Sequence, residues 1–551
     1  MKKLSFILII SLSTSLLFSQ REEYLKTYAQ VWGFFKYHHP YPSSVDWDAQ
    51  LLEDYSKIHA DLSQDEFQQL LQQLFDKCTP VEDSKKKYKE EPTYMPKIFD
   101  WLDNNLISSK QKEQINALRK IPADFNSDYA KTTSVGAVFF KFEKYYLEVD
   151  FSADYRFLAL ARYWNAINYF FPYRELIHED WSEVFIALLP EFENAETYWD
   201  YYQAVLKASA KIKDGHAVVV MEDEVKHKFN KVRTYAPFYS IDLEEGTFIS
   251  LPMQFEGFNS PLKRGDQIIA IQGIETEERW KQVQAITPHS NDYTARRGDY
   301  NFKAFDSDSV ELKVLRNNEK LTFLLPTVTE EQLLDFWQSH KKSVEIEEKM
   351  PYEIRTDSVS GKSYMYVDLD VFRKDDMTKE LQKLIHQQDY IVMDVRNYPM
   401  GTYPVWTKEL LKGKRHFAKV GVMNTTFPGS ISWRSTQKVG GKKEFQGTLI
   451  ILVDRRTQSH AEYSVMAFQQ HPRAITIGGQ TAGADGNVVS IPLPFGINTR
   501  ISGIAVVYPD DTQTQQVGIK RAIKIRQDSS YLHEPKNDKI MEAALEVIRG
   551  G

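Results

Sequence analysis

Ser459 stands where the apolar run GTLIILV (447–453) gives way, through DRRTQS, to the helix-like EYSVMAFQQ. A hydroxyl on a tight turn between a buried strand and a helix can act as a nucleophile, because a helix amino terminus favours negative charge developing beside it. The same residues, Ser459-x-x-Glu462 before an apolar run, also fit a capping box that satisfies unpaired helix amides. The local pattern leaves both roles open. An attacking serine needs a proton acceptor, and histidine suits because its ordinary pKa of about 6.5 lets it take a proton near neutrality and return it to a leaving amine. His216, in KDGHA, is one candidate and equally reads as a turn histidine at a helix end. His460 is adjacent to Ser459, and adjacent helical residues do not face one another. No His-Glu-x-x-His or cysteine cluster suggests a metal site, and no cofactor is implied.

A chain of 551 residues exceeds one hydrophobic core, and its length predicts about three domains. With 42% hydrophobic and 26% charged residues it reads as ordinary globular protein. A net charge of -7 gives no general electrostatic reason to bind nucleic acid or anionic membrane. The basic run KGKRHFAK (412–419) reads as a solvated loop. At the start, MKKLSFILIISLSTSLLFSQ has two lysines, an apolar run from Leu4 to Phe18 and a small residue at Ser19, which predicts a secretory signal over 1–19 and a secreted or periplasmic protein. The apolar run is short for a membrane span, no later segment suits one, and the lone Cys78 cannot form a disulfide within the chain.

The elements that must position these residues divide the chain. Residues 20–130 are rich in Leu, Gln, Lys and aromatics, and Phe67, Leu70, Leu71, Leu74 and Phe75 recur at helical spacing, so a helical domain is expected. A second helical unit, 131–216, repeats the layout. VWGFFKYHHP ends at Pro40 and YWNAINYFFP at Pro172, each with a tryptophan eight residues earlier (Trp32, Trp164), a later one (Trp47, Trp181), and then an amphipathic stretch. Only the second copy ends in a histidine, His216; His38 and His39 lie in the first. Over 217–335 the pattern is strand-like (AVVVM, QIIAI, VELKVL, LTFLL), with turn signals between the runs. SPLKRGDQIIAIQGI (260–274) resembles the PDZ-like domains of some secreted peptidases, which add an extended peptide to a sheet edge; a small β-domain without a ligand is the alternative. Over 345–551 strands (SYMYVDLDVF, DYIVMDV, GTLIILV, AITIG) alternate with helices (MTKELQKLIHQQ, VWTKELL, EYSVMAFQQ), predicting a mainly parallel sheet with functional loops after Val395 and Val453.

Four motifs in order over about 345–530 resemble the C-terminal-processing, or tail-specific, serine peptidases: DVRNYPMG, Ser459-His460-Ala461-Glu462, TIGGQTAGADG and YPDDTQTQQVGI. The resemblance implies a multidomain α+β protein with N-terminal helical repeats, a PDZ-like β domain and a C-terminal α/β core of the crotonase-like or ClpP-like kind. It also implies peptide or protein substrates. Most members take their general base from a lysine about twenty-five residues after the serine; Ala484 stands there, so this chain is similar instead to the tricorn-like branch, whose histidine base matches His216. That branch's orienting Glu aligns with Gln515, its first oxyanion-loop glycine with Met400, and its Pro-Asp with Arg521-Ala522. The implied site is therefore Ser459 as nucleophile, His216 as base, Gln515 steadying the imidazole, and the amides of His460 and Met400 as the oxyanion hole. The alternative is a catalytically weak or inactive peptidase-like protein that binds peptides or small apolar ligands.

Overall fold

The computed structural model describes residues 2–38, 45–77, 92–123, 129–229, 233–297, 299–344, 349–533 and 537–550, with the side chains of 2–19, 299, 342–344 and 533 outside the description. Cys78 and His39 lie outside the described residues. No helix among them is long and apolar enough to cross a membrane.

Residues 352–524 build a six-stranded sheet in the order Tyr352–Thr356, Ser363–Asp368, Tyr390–Asp394, Thr448–Val453, Ala474–Gly478 and Ile523–Lys524. The first pair is antiparallel and the others parallel. Strands in such a sheet are buried on both faces, which is why they read as continuous apolar runs. One face is covered by helices Lys379–Ile385, Tyr403–Leu410 and His460–Phe468, through Leu381, Trp406 and Val465. The other is covered by Lys539–Gly550, through Ile540, Ala544 and Ile548.

The basic run expected as a loop is instead the start of strand Arg415–Met423. Phe417 and Ala418 point into the core, while Lys419 pairs with Asp511 at 2.5 Å. The charges up to His416 sit on the exposed lead-in and first residues, and burial on both faces begins at Phe417.

An antiparallel β unit precedes this core, in the order Glu319–Pro326, Ser309–Arg316, Gln267–Ile271, Gly246–Pro252 and Phe238–Leu243. Helix Thr276–Gln284 closes it by burying Trp280. Strand Val219–Met221 adjoins this unit in sequence but pairs elsewhere, with Ile497–Ser502 of the core.

Among the described residues, the N-terminal part contains two sets of three helices, Lys2–His38, Trp47–Tyr55 and Gln64–Asp76, then Ala153–Phe170, Trp181–Glu193 and Tyr198–Lys211, with helix Ser109–Leu118 between the sets. The indole of Trp32 donates to the Trp47 carbonyl at 2.5 Å, and that of Trp164 to the Trp181 carbonyl at 2.6 Å. The long helices cross where a Cβ on Gly33 would meet the Asn165 side chain at 2.0 Å, so only glycine permits the contact. Between them lies a buried charge network. Lys36 pairs with Asp48 (2.6 Å) and Glu143 (2.8 Å), Arg162 with the same acids (2.7 and 2.9 Å), and Arg162 also donates to the Pro492 carbonyl of the core at 2.8 Å. Burial opposes the charged form of Asp48, but Lys36 and Arg162 hold its carboxyl below the usual range. Removing one member strands the others without counter-charge, at a cost of about 3–5 kcal/mol. Arg162→Ala is therefore expected to lower unfolding free energy by about that amount, read as a lower denaturant midpoint; a loss no larger than that of an exposed ion pair would contradict the network.

Candidate active site

Ser459 follows strand Thr448–Val453 and begins helix His460–Phe468 with φ 58° and ψ -125°, a backbone region that side-chain-bearing residues rarely occupy. Its hydroxyl makes no capping hydrogen bond to the helix. The strand-to-helix turn thus holds a strained serine whose side chain is not used to start the helix, the backbone setting of a nucleophile elbow.

Glu462, expected to share in a capping box, does something else. Fully buried, it accepts from Thr481 Oγ1 at 2.6 Å and from the amides of Gly483 (2.8 Å) and Ala484 (3.0 Å). Burial pushes its carboxyl up, and these donors oppose the shift. The loop so pinned returns a bond to the nucleophile, since the Ser459 amide donates to the Ala484 carbonyl at 2.9 Å.

His216 follows helix Tyr198–Lys211 and precedes strand Val219–Met221, whose Val219 and Met221 pair with Thr499 and Ile497. That register sets the imidazole against Ser502, with Nδ1 at 2.9 Å from its Oγ. Ser502 Oγ donates in turn to Asp214 Oδ1 at 3.0 Å, and the Ser502 amide to Asp214 Oδ2 at 2.6 Å. A carboxylate only accepts, so the hydroxyl proton points to Asp214 and the hydroxyl oxygen takes its bond from Nδ1–H. Nε2 is then the unprotonated nitrogen. It is buried and has no hydrogen-bond partner. Burial lowers the imidazole pKa, Asp214 raises it and Arg297 lowers it.

The segment ahead of Ser459 touches the segment ahead of His216: Gln458 Nε2 donates to the Gly215 carbonyl at 3.0 Å. A Cβ at Gly215 would lie 2.9 Å from Ser290 Oγ and 3.2 Å from the Ala484 Cβ, so a larger residue would press against Ser290 and the 481–484 loop. The flanking segments are in contact, but the Ser459 hydroxyl and the imidazole are not hydrogen-bonded to each other, Nε2 being without a partner.

The other expected residues distribute unevenly. Gln515 is buried and donates to Asp214 Oδ1 at 3.2 Å, so it meets the carboxylate behind the imidazole; the imidazole's own neighbour is Ser502. Met400 is half exposed in the loop after Tyr390–Asp394, and a Cβ on the next residue, Gly401 (φ 72°), would lie 3.9 Å from His460 Nε2. That contact brings the loop beside the residue following the nucleophile. Burial lowers the His460 pKa. Sequence reasoning missed Asp214 and Ser502. The first carried a signal, as an Asp two residues before His216 whose Oδ1 accepts the His216 amide at 3.0 Å; Ser502, within TRISG, carried none.

Ser459 opens on a cavity of about 430 Å³ shared with Tyr398, His460, Tyr463 and Asp485. Its arrangement of strained serine, neutral buried imidazole and adjacent backbone amides can transfer an acyl group. Residues 363–525 match the family model described as peptidase family S41. They form an S41 peptidase domain, and the protein is a serine-type peptidase. The fold around the S41 domain is similar to that of mature CPAF. Against its complex with lactacystin the TM-score is 0.56 at 11% identity, over 72% of this chain and 99% of that one. Against the CPAF s499a mutant it is 0.55 at 11% identity, over 71% and 96%. No curated protein sequence matches this chain.

Strain at Ser459 implies a stability test. Glycine tolerates positive φ, whereas alanine keeps the Cβ penalty. Ser459→Gly is expected to be about 1 kcal/mol more stable to denaturant than Ser459→Ala; equal or lower stability would show that the turn is unstrained.

Proposed function

We propose that Ser459 is the nucleophile and His216 the general base of an exported endopeptidase acting on unfolded or carboxyl-terminal protein segments. One observation carries this reading: Nδ1 of His216 is occupied by the Ser502–Asp214 relay, which leaves a buried, unprotonated Nε2 with no other partner. Nε2 takes the Ser459 proton as Oγ attacks the peptide carbonyl, then gives it to the leaving amine. Asp214 favours the transient imidazolium, and Gln515 supports the far end of the relay through its bond to Asp214. The amides of His460 and Met400 hold the oxyanion. The antiparallel unit over 217–335 acts as a PDZ-like clamp on an extended stretch of substrate, the N-terminal helices wall the site, and residues 1–19 direct export.

A second reading, a weakly active or inactive peptidase-like protein that binds peptides or small apolar ligands, draws on the unmade bond between the Ser459 hydroxyl and Nε2. Catalytic hydrogen bonds are often unformed before substrate arrives. Labelling of the folded protein by a serine-directed phosphonate separates the readings. The proposal predicts modification at Ser459, abolished in Ser459→Ala and slowed at least about 100-fold in His216→Ala; a folded protein that resists labelling favours the binding reading.

The pH dependence follows from burial. An imidazole whose pKa lies below its ordinary value stays neutral, and therefore basic, into mildly acidic solution. The labelling rate should fall only as pH drops through a midpoint below about 6.5. Asp214→Asn removes a group that raises this pKa and should move the midpoint lower still. A midpoint above 6.5, or an upward move in the variant, would contradict the assignment.

A further inference from the structure

Asp485 lies one residue beyond the carbonyl that accepts the Ser459 amide, and it lines the cavity onto which Ser459 opens. Only 3% of it is exposed. Its Oδ1 accepts the Gly486 amide at 2.7 Å, while Oδ2 is buried with no partner. A buried carboxyl oxygen left unpaired is costly unless something arrives to pair it. The surroundings are not neutral to what arrives. Glu462, a second buried carboxyl, adds negative potential, and no Lys or Arg lines the cavity. Burial and Glu462 together hold Asp485 well above the usual carboxylate range. Val420, Val488, Ile504 and Val506 give the cavity an apolar stretch of wall, beside the polar groups of Tyr398, His460 and Asn487.

An apolar stretch of wall beside an unpaired buried acid, in a cavity lined by no basic Lys or Arg, matches a side chain with a methylene stem and a cationic head. We propose that this cavity is the specificity pocket for the residue on the acyl side of the cleaved bond, and that Asp485 selects lysine or arginine there. The inference rests on Ser459 being the nucleophile, since only then does the cavity receive that residue. The cation completes the bonding of Oδ2 and relieves the cost of the buried acid, whereas an acidic side chain would meet two carboxyls in a dry site. A neutral amide side chain could donate to Oδ2, but it carries no charge to offset the potential of Glu462.

The test compares quenched-fluorescent peptides differing only at that position (Lys, Arg, Leu, Phe, Gln, Glu), cleaved by the full chain and by Asp485→Asn. The expected result is kcat/KM for Lys and Arg at least about tenfold above Leu, Phe and Gln, with the Lys-to-Leu ratio falling at least about 30-fold in Asp485→Asn. Because the ratio is read within one protein, a change in folded fraction does not move it. Ser459-dependent cleavage that prefers Leu, Phe or Gln, or a ratio unchanged in Asp485→Asn, would overturn the proposal. Binding of N-acetyl-lysine methylamide to Ser459→Ala, measured by calorimetry, separates the pocket from the chemistry. Affinity that drops at least about tenfold when Asp485→Asn is added supports the pocket even where no peptide is cleaved, in which case the nucleophile assignment alone fails. Affinity indifferent to Asp485 overturns the pocket.

Discussion

Three backbone pairings hold the candidate site together: Val219 with Thr499, Val220 with Asn498 and Met221 with Ile497. Through them a segment that leaves the helical part of the chain becomes the third strand of a core sheet. The Arg500 amide extends the ladder to the Val218 carbonyl at 2.8 Å. Side chains in a strand alternate faces, so a one-residue slip would turn the whole segment over. Register therefore decides whether His216 meets Ser502 or solvent. The relay from imidazole to hydroxyl to carboxylate, and the buried nitrogen it leaves unprotonated, depend on this alignment.

The serine side of the site is held by a different device. Ser459 occupies a backbone region that costs on the order of 1–3 kcal/mol, and such conformations persist only where their surroundings over-determine them. Glu462 supplies much of that determination. By taking three donors from the 481–484 loop, it fixes the carbonyl to which the Ser459 amide is bonded. The two halves meet at Gly215, where Gln458 reaches across and the absence of a Cβ permits the approach. Further out, Arg162 ties the charge network of the helical part to the Pro492 carbonyl, in the strand beside Ile497–Ser502. Helices far from the chemistry thus brace the sheet that carries it.

Legibility in the sequence followed burial and locality. DYIVMDV and GTLIILV announced themselves because parallel strands covered on both faces are apolar throughout. The serine turn was visible because strand, polar turn and helix are contiguous. KGKRHFAK misled because its exposed basic residues lead into the strand and outnumber Phe417 and Ala418, where the burial begins. AVVVM was grouped with the β unit after it because sequential strands usually pair, yet its partner lies some 280 residues on. The cap pattern at Ser459 and Glu462 is only half kept in space: the Ser459 hydroxyl caps nothing, while the Glu462 carboxyl interacts with the Ser459 amide and takes its other donors from a distant loop. Gln515 came from motif position alone, and position could not reveal that Asp214 stands between it and the imidazole. Nothing in the sequence singled out Asp485, because its lack of a partner is a property of the folded cavity.

A crystal structure of the protein carrying a phosphonate bonded to Ser459 Oγ tests the central claim most directly. The account predicts His216 Nε2 within hydrogen-bond reach, about 3 Å, of the phosphonyl or seryl oxygen, with Nδ1 still on Ser502 and Ser502 on Asp214. A phosphonylated Ser459 with His216 Nε2 turned away from the adduct, or bonded to another group, would contradict it.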